Sequence, residues 1–103
     1  MRIAFFGSTE FSVIVLQGLL VNRHEILAAI TRPDRPAGRG RGDRETELKR
    51  FAEENGTLTL QPESLRDAKF VKAMRELKCD IGVVAAYGGL IPIDLLEIPK
   101  LDF

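Results

Sequence analysis

The sequence predicts an α/β protein: a Rossmann-like open parallel sheet with helices on both faces. Two observations carry this. Ile3–Phe6, Ile26–Ile30 and Ile81–Ala86 are short, continuous apolar runs, the pattern of strands buried on both faces. Between them lie segments whose apolar residues recur at helical spacing, and strands alternating with helices imply a parallel sheet with right-handed crossovers. In such sheets ligands bind outside the carboxyl ends of the strands, near the switch in strand order.

Taken in order, Ile3-Ala4-Phe5-Phe6 stops at Gly7, where Ser8 and Thr9 can cap a helix and Glu10 suits its positive first turn. Phe11, Val15 and Leu19 fall four apart, with Ile14, Leu16 and Leu20 widening that apolar face. Ile26–Ile30 completes a βαβ unit. A helix is expected from about Arg44 to Asn55, with Leu48, Phe51 and Ala52 as its stripe, Glu45 and Lys49 as an (i, i+4) pair, and Asn55-Gly56 as the stop. Thr57–Leu60 reads as a short third strand. Ser64 and Asp67 open a helix carrying Phe70, Val71, Met74 and Leu77, and Pro92 opens a last short one.

The 103 residues make one domain at most, with 45% hydrophobic and 29% charged residues and no repeat or linker. Fifteen basic residues balance fifteen acidic ones, so any attraction to nucleic acid must be local. Cys79 and His24 are the sole cysteine and histidine, which rules out an internal disulfide and argues against a Cys/His zinc site; no metal is expected. The apolar start MRIAFFG is too short for a secretory signal or a membrane span, so a cytoplasmic protein with no membrane partner is expected.

Three segments fall at the ligand edge. Gly7-Ser8-Thr9-Glu10 joins a strand to a helix N-terminus, which suits an anion or a carbonyl oxygen, or is simply a tight turn with a cap. It is neither a dinucleotide fingerprint nor a P-loop. Between Arg32 and Arg44, five arginines against Asp34 and Asp43 leave a net charge of +3. Guanidinium groups suit bidentate phosphate contact and the glycines permit close approach; a solvated loop is the plain alternative. Tyr87-Gly88-Gly89-Leu90-Ile91-Pro92 could form a backbone-lined slot with an apolar wall for a flat heterocycle, or a turn whose Leu and Ile are core. His24 reads as structural or surface at the opposite end, Cys79 as a packed thiol, and Glu53-Glu54 as a solvated helix face.

MRIAFFGSTEF, TRPDRPAGRGRG, LQPESL and VVAAYGGLIP stand in the order and spacing of the N-terminal part of the methionyl-tRNA formyltransferase family, which this chain resembles along its whole length. The resemblance implies a Rossmann-like formyltransferase fold, incomplete here. Residues 1–103 would be the N-terminal portion of its catalytic domain, without that domain's C-terminal half or the C-terminal β-barrel that binds tRNA. It also implies formyl transfer from 10-formyltetrahydrofolate to the amino group of methionine on initiator methionyl-tRNA. Arg39, Gly40 and Arg41 would then contact the tRNA. Gly7, Ser8 and Thr9 would lie near the acceptor methionine, and Gly89, Leu90 and Ile91 would line the pterin slot.

The chain departs from the family pattern at Thr9, usually Pro, at Gly89, often Gln, and at Gly42-Asp43-Arg44-Glu45, where Ser-Pro is common. The family's catalytic Asn, His and Asp would follow Leu101-Asp102-Phe103. No catalytic residue is therefore assigned, and the chain alone is expected to be inactive; His24, Glu10 and Asp94 match no catalytic position. A strand missing beside Ile81–Ala86 would leave a bare apolar edge, open to self-association or a partner chain. The alternatives are a catalytically dead RNA- or partner-binding Rossmann module, and a fragment of a related sugar-nucleotide formyltransferase, against which the PDRPAGRG block argues. An NAD-binding domain ranks last, because Arg32 stands where an acid should end the second strand.

Overall fold

The first apolar run forms strand β1, Arg2–Gly7, and every residue from Ile3 to Gly7 is buried. A computed structural model describes residues 1–33, 35–36, 43–88, 91–92, 95 and 97–99, with backbone alone at 35–36 and 43–44. In chain order, helix α1 is Glu10–Val21, strand β2 is Glu25–Ile30, and β3 and β4 are the two-residue pieces Arg35–Pro36 and Asp43–Arg44. Helix α2 is Glu47–Glu54, β5 is Thr59–Leu60, α3 is Ala68–Leu77 and β6 is Ile81–Ala85.

The main sheet has the order β5-β2-β1-β6 and every pairing in it is parallel. Phe5 sits opposite Ala29 on one side and Val83 on the other, so β1 is central. Successive side chains point to opposite faces. Ile3, Phe5 and Ala29 face Leu16 of α1 and Leu48 and Ala52 of α2. Ala4, Phe6, Ala28 and Ile30 face Phe70 and Met74 of α3, together with Tyr87 and Leu95. Phe6 meets the edges of both Phe70 and Tyr87, at centroid distances of 6.4 and 5.7 Å. Each fully buried phenylalanine on β1 contributes roughly 1.5–3 kcal/mol of hydrophobic stabilisation. The result is the three-layer parallel arrangement that the alternation of elements predicts.

Several boundaries and faces differ from expectation. Helix α1 turns Ser12 and Leu16 to the sheet with Val15, Leu19 and Leu20 packed beside them, as predicted, but leaves Phe11 and Ile14 each 59% exposed, so these two fall off its core face. The reason is the hydroxyl of Ser12, which bonds to the exits of β1 and β6 and fixes the helix rotation. Helix α2 begins at Glu47 rather than near Arg44, because Thr46 caps it by accepting from the amide of Lys49. The Glu45–Lys49 pair does form, at 3.9 Å, but from outside the helix. For α3 the cap is Asp67, while Ser64 braces the preceding turn by accepting from the amide of Arg66. Ala86, expected in the last strand, has φ of 53° and leaves it.

The loop after β2 contains the antiparallel β3–β4 ribbon, with Arg35 opposite Arg44 and Pro36 opposite Asp43. Residues 37–42, between β3 and β4 in the chain, lie outside the described residues. Among the described residues β6 pairs only with β1, and its Val84 is 44% exposed. No helix among them is long and apolar enough to cross a membrane.

Candidate functional site

From β1 the chain steps outward through β2 to β5, then returns to place β6 on the other side of β1. Strand order therefore reverses between β1 and β6, and the crevice for a ligand opens outside their carboxyl ends. Gly7 closes β1 there because nothing larger fits. An added Cβ would stand 2.6 Å from Ser12 Cβ and 2.8 Å from the Ala85 carbonyl oxygen.

The turn after Gly7 is internally satisfied. The amides of Ser8 and Thr9 both donate to Ser12 Oγ, at 3.0 and 3.2 Å, and Ser12 Oγ donates in turn to the carbonyl of Ala85. Thr9 is the N-cap, so Thr9 and Ser12 form a capping box with Ser in the position glutamate commonly takes. Gly7 and Ser8 are buried and Thr9 is exposed; the hydrogen-bonding groups of Ser8 turn inward.

Ser8 begins a network that crosses all four strand exits. Its hydroxyl donates to the carbonyl of Tyr87 after β6 at 3.3 Å. It accepts from Thr31 Oγ1 at 3.4 Å and from the amide of Arg32 at 3.5 Å, both after β2. Thr31 Oγ1 lies 2.7 Å from Thr46 Oγ1, and with the proton of Thr31 committed to Ser8, Thr46 is the donor. Gln61, after β5, donates through Nε2 to the carbonyl of Arg32 at 3.2 Å. Thr31 is fully buried and Ser8 nearly so, which raises the cost of leaving either unpaired.

Arg32, after β2, reaches the segment after β6. Its guanidinium lies against Gly88, where an added Cβ would be 3.2 Å from Nη1 and 3.3 Å from Cζ. Gly88 also has φ of +93°, a conformation L side chains rarely adopt. Arg32 Nε is buried without a hydrogen-bond partner among the described residues. Burial pushes the Tyr87 phenol up from its usual 10.0, and the charge of Arg32 partly opposes the shift.

Of the residues singled out from sequence, Gly7, Ser8 and Thr9 reach the crevice edge. Ile91 is half-buried and packs against the core cluster of Phe6, Phe70 and Tyr87. Gly89, Leu90, Arg39, Gly40 and Arg41 lie outside the described residues. His24 is at the far end of the sheet, its Nδ1 3.4 Å from the N-terminal amine, in keeping with a structural or surface role. Cys79 is buried, and burial pushes its thiol above the ordinary 9.0, as befits a packed thiol. Glu53 and Glu54 are solvated. Sequence reasoning missed Ser12, Thr31, Thr46 and Gln61, and treated Arg32 as part of a charged loop and as evidence against an NAD site, not as a residue of the site itself. The legible signal was a lone polar residue at an otherwise apolar position, as with Ser12 within α1 and Thr31 closing β2. A separate shallow cleft of about 270 Å³ lies on the β5 side, lined by Leu60, Gln61, Pro62, Asp67, Lys69, Phe70 and Ala73.

The sequence model of the family described as Formyl transferase matches residues 1–103. The chain is 41% identical over 99 residues to a methionyl-tRNA formyltransferase of Acetivibrio thermocellus, covering 96% of this chain and 32% of that protein. It is 43% identical over 104 residues to one of Roseiflexus sp. and 44% identical over 103 to one of Chloroflexus aggregans, with 100% of this chain covered in both. The chain spans about a third of the length of these curated relatives, 32% and 33% for the latter two. The whole-chain match, on a parallel α/β sheet with its crevice at the β1–β6 switch, establishes that the chain belongs to the formyl transferase family.

Proposed function

We propose that this chain supplies the substrate-recognition part of formyl transfer from 10-formyltetrahydrofolate to the amino group of initiator methionyl-tRNA. In that reaction the amine nitrogen bonds to the formyl carbon as the bond from that carbon to folate N10 breaks, the amine gives up one proton, and the departing N10 takes one up. The observation that carries the reading is the convergence, within a member of this family, of the Gly7–Thr9 turn, the entry to the arginine loop at Arg32 and the pair Tyr87-Gly88 at the strand exits.

The roles follow the chemistry of each segment. Arg39, Gly40 and Arg41, on the loop that the β3–β4 ribbon closes, would meet the tRNA backbone. Gly7, Ser8 and Thr9 would shape the place for the acceptor methionine, with Thr9 as the accessible member. Gly89, Leu90 and Ile91 would line the pterin slot; the exposed Gly88 backbone and the half-buried Ile91 and Pro92 fit a flat, partly apolar ring. Around the strand exits the described groups are the hydroxyls of Ser8, Thr31 and Thr46, the Tyr87 carbonyl and the Arg32 guanidinium, suited to binding rather than to taking a proton from an amine. A tRNA substrate goes with a cytoplasmic location, which cell fractionation checks.

The test is binding and turnover by the 103-residue chain. We expect affinity for initiator methionyl-tRNA that falls steeply with salt, and no formyl transfer. Detectable turnover would contradict the division of labour, and absence of tRNA affinity would contradict the reading itself. RNA binding without any tetrahydrofolate binding would favour an RNA-binding module instead. The edge of β6 that is unpaired among the described residues should also take a second strand, from another copy or a partner chain. A strictly monomeric species by sedimentation at high concentration would count against that.

A further inference from the structure

We infer that Arg32 is a pre-positioned clamp that takes a phosphodiester oxygen of the bound RNA at the β1–β6 crevice. This rests on the reading above that the substrate is an RNA, and names the group that meets it. Arg32 is held at both ends of its backbone by side chains from neighbouring strand exits: Ser8 Oγ accepts from its amide and Gln61 Nε2 donates to its carbonyl. Its guanidinium lies on Gly88, which admits it by lacking a side chain, since a Cβ there would stand 3.2–3.5 Å from Nη1, Cζ and Nε.

The residue is thus a planar cation that three separate elements contact, and among the described residues its Nε donor is unmet. Nε is buried without an acceptor, and among the described residues no carboxylate forms an ion pair with the side chain. A buried N–H without an acceptor is unfavourable, so a ligand oxyanion that reaches the fork, with a small shift of the guanidinium, gains more than it would at a satisfied arginine. The fork matches phosphate bidentately. A polyanion is favoured over an isolated carboxylate because Arg32 leads directly into residues 33–44, which add a net charge of +2 to its own, and the β3–β4 ribbon pairs the two ends of that stretch.

The experiment measures binding of a short single-stranded RNA to the full chain at several salt concentrations. It compares wild type with R32Q, R32K and the loop variant R39Q/R41Q, after circular dichroism has shown each to be folded. Inorganic phosphate and tetrahydrofolate are titrated separately. For R32Q we expect about tenfold weaker RNA binding, the order expected for losing a hydrogen bond to a charged group. The slope of log K against log salt should also flatten by about 0.7, one phosphate contact on a single strand. R32K, which keeps the charge but not the fork, should recover only part of the affinity. Should R32Q fail to fold, R32K alone decides: wild-type affinity in R32K overturns the clamp. Wild-type affinity and slope in R32Q, with R39Q/R41Q weakened, would overturn the role of Arg32 and leave the RNA reading standing. Loss of phosphate or tetrahydrofolate binding in R32Q with RNA binding intact would also overturn it, assigning the fork to another oxyanion. No RNA affinity in the wild type would overturn both.

Discussion

Replacing Ser12 by alanine should destabilise the fold far more than replacing the large apolar Phe11 beside it. Ser12 is fully buried, and its Oγ accepts from the amides of Ser8 and Thr9 while donating to the carbonyl of Ala85. Alanine keeps the Cβ, so packing against Gly7 is unchanged and the loss is almost purely of hydrogen bonds. The Ser8 amide and the Ala85 carbonyl are left unpaired in a buried setting, at about 1–3 kcal/mol each, and the partly exposed Thr9 amide adds less. A total of about 2–6 kcal/mol is a large share of the roughly 5–15 kcal/mol that holds a domain of this size together. Phe11, at 59% exposed, should cost no more than about 0.5 kcal/mol when cut to alanine. Urea denaturation followed by far-UV circular dichroism measures both, through a fall in midpoint at constant slope. If S12A lies within about 0.5 kcal/mol of wild type, or F11A is the worse variant, the account of how α1 is seated is wrong.

Three further predictions concern the same end of the sheet and the core beneath it. A double-mutant cycle with T31V and T46V should give a coupling of about 0.5–3 kcal/mol, because the 2.7 Å contact between the hydroxyls ties the α2 cap to the β2 exit; additive denaturation free energies would contradict this. G88A should lower stability by about 1–3 kcal/mol through its positive φ and its approach to Arg32, and should weaken RNA binding as well; unaltered melting and binding would refute both. Burial, aided by the charge of Asp80, holds the Cys79 thiol above its ordinary 9.0. Because the folded value is the higher, this contribution is complete below the unfolded thiol range and is lost as pH rises through the folded value. Stability should therefore fall above about pH 9, and C79A should flatten part of that fall in thermal melts; a pH profile unchanged by C79A would contradict it.

Strands β1, β2 and β6 were legible because burial on both faces leaves an unbroken apolar run. The rotation of α1 was not, since apolar residues surround most of that helix and spacing alone gives no direction. What decides it is Ser12 bonding to the strand exits, a contact that exists only once β1 and β6 lie side by side. The β3–β4 ribbon has two residues per strand, one of them proline, too few for any period to show. Gly7, Ser8 and Thr9 were found because strand, glycine and cap follow one another in sequence. The role of Arg32 depends on Gly88, Ser8 and Gln61, which the fold alone brings to it.

Hydrogen exchange of the chain with and without initiator methionyl-tRNA tests the central claim most directly. The account predicts added protection confined to the carboxyl-end segments, residues 7–9, 31–46 and 87–92. Absence of protection, or protection centred on the opposite end around His24 and Lys78, would contradict it.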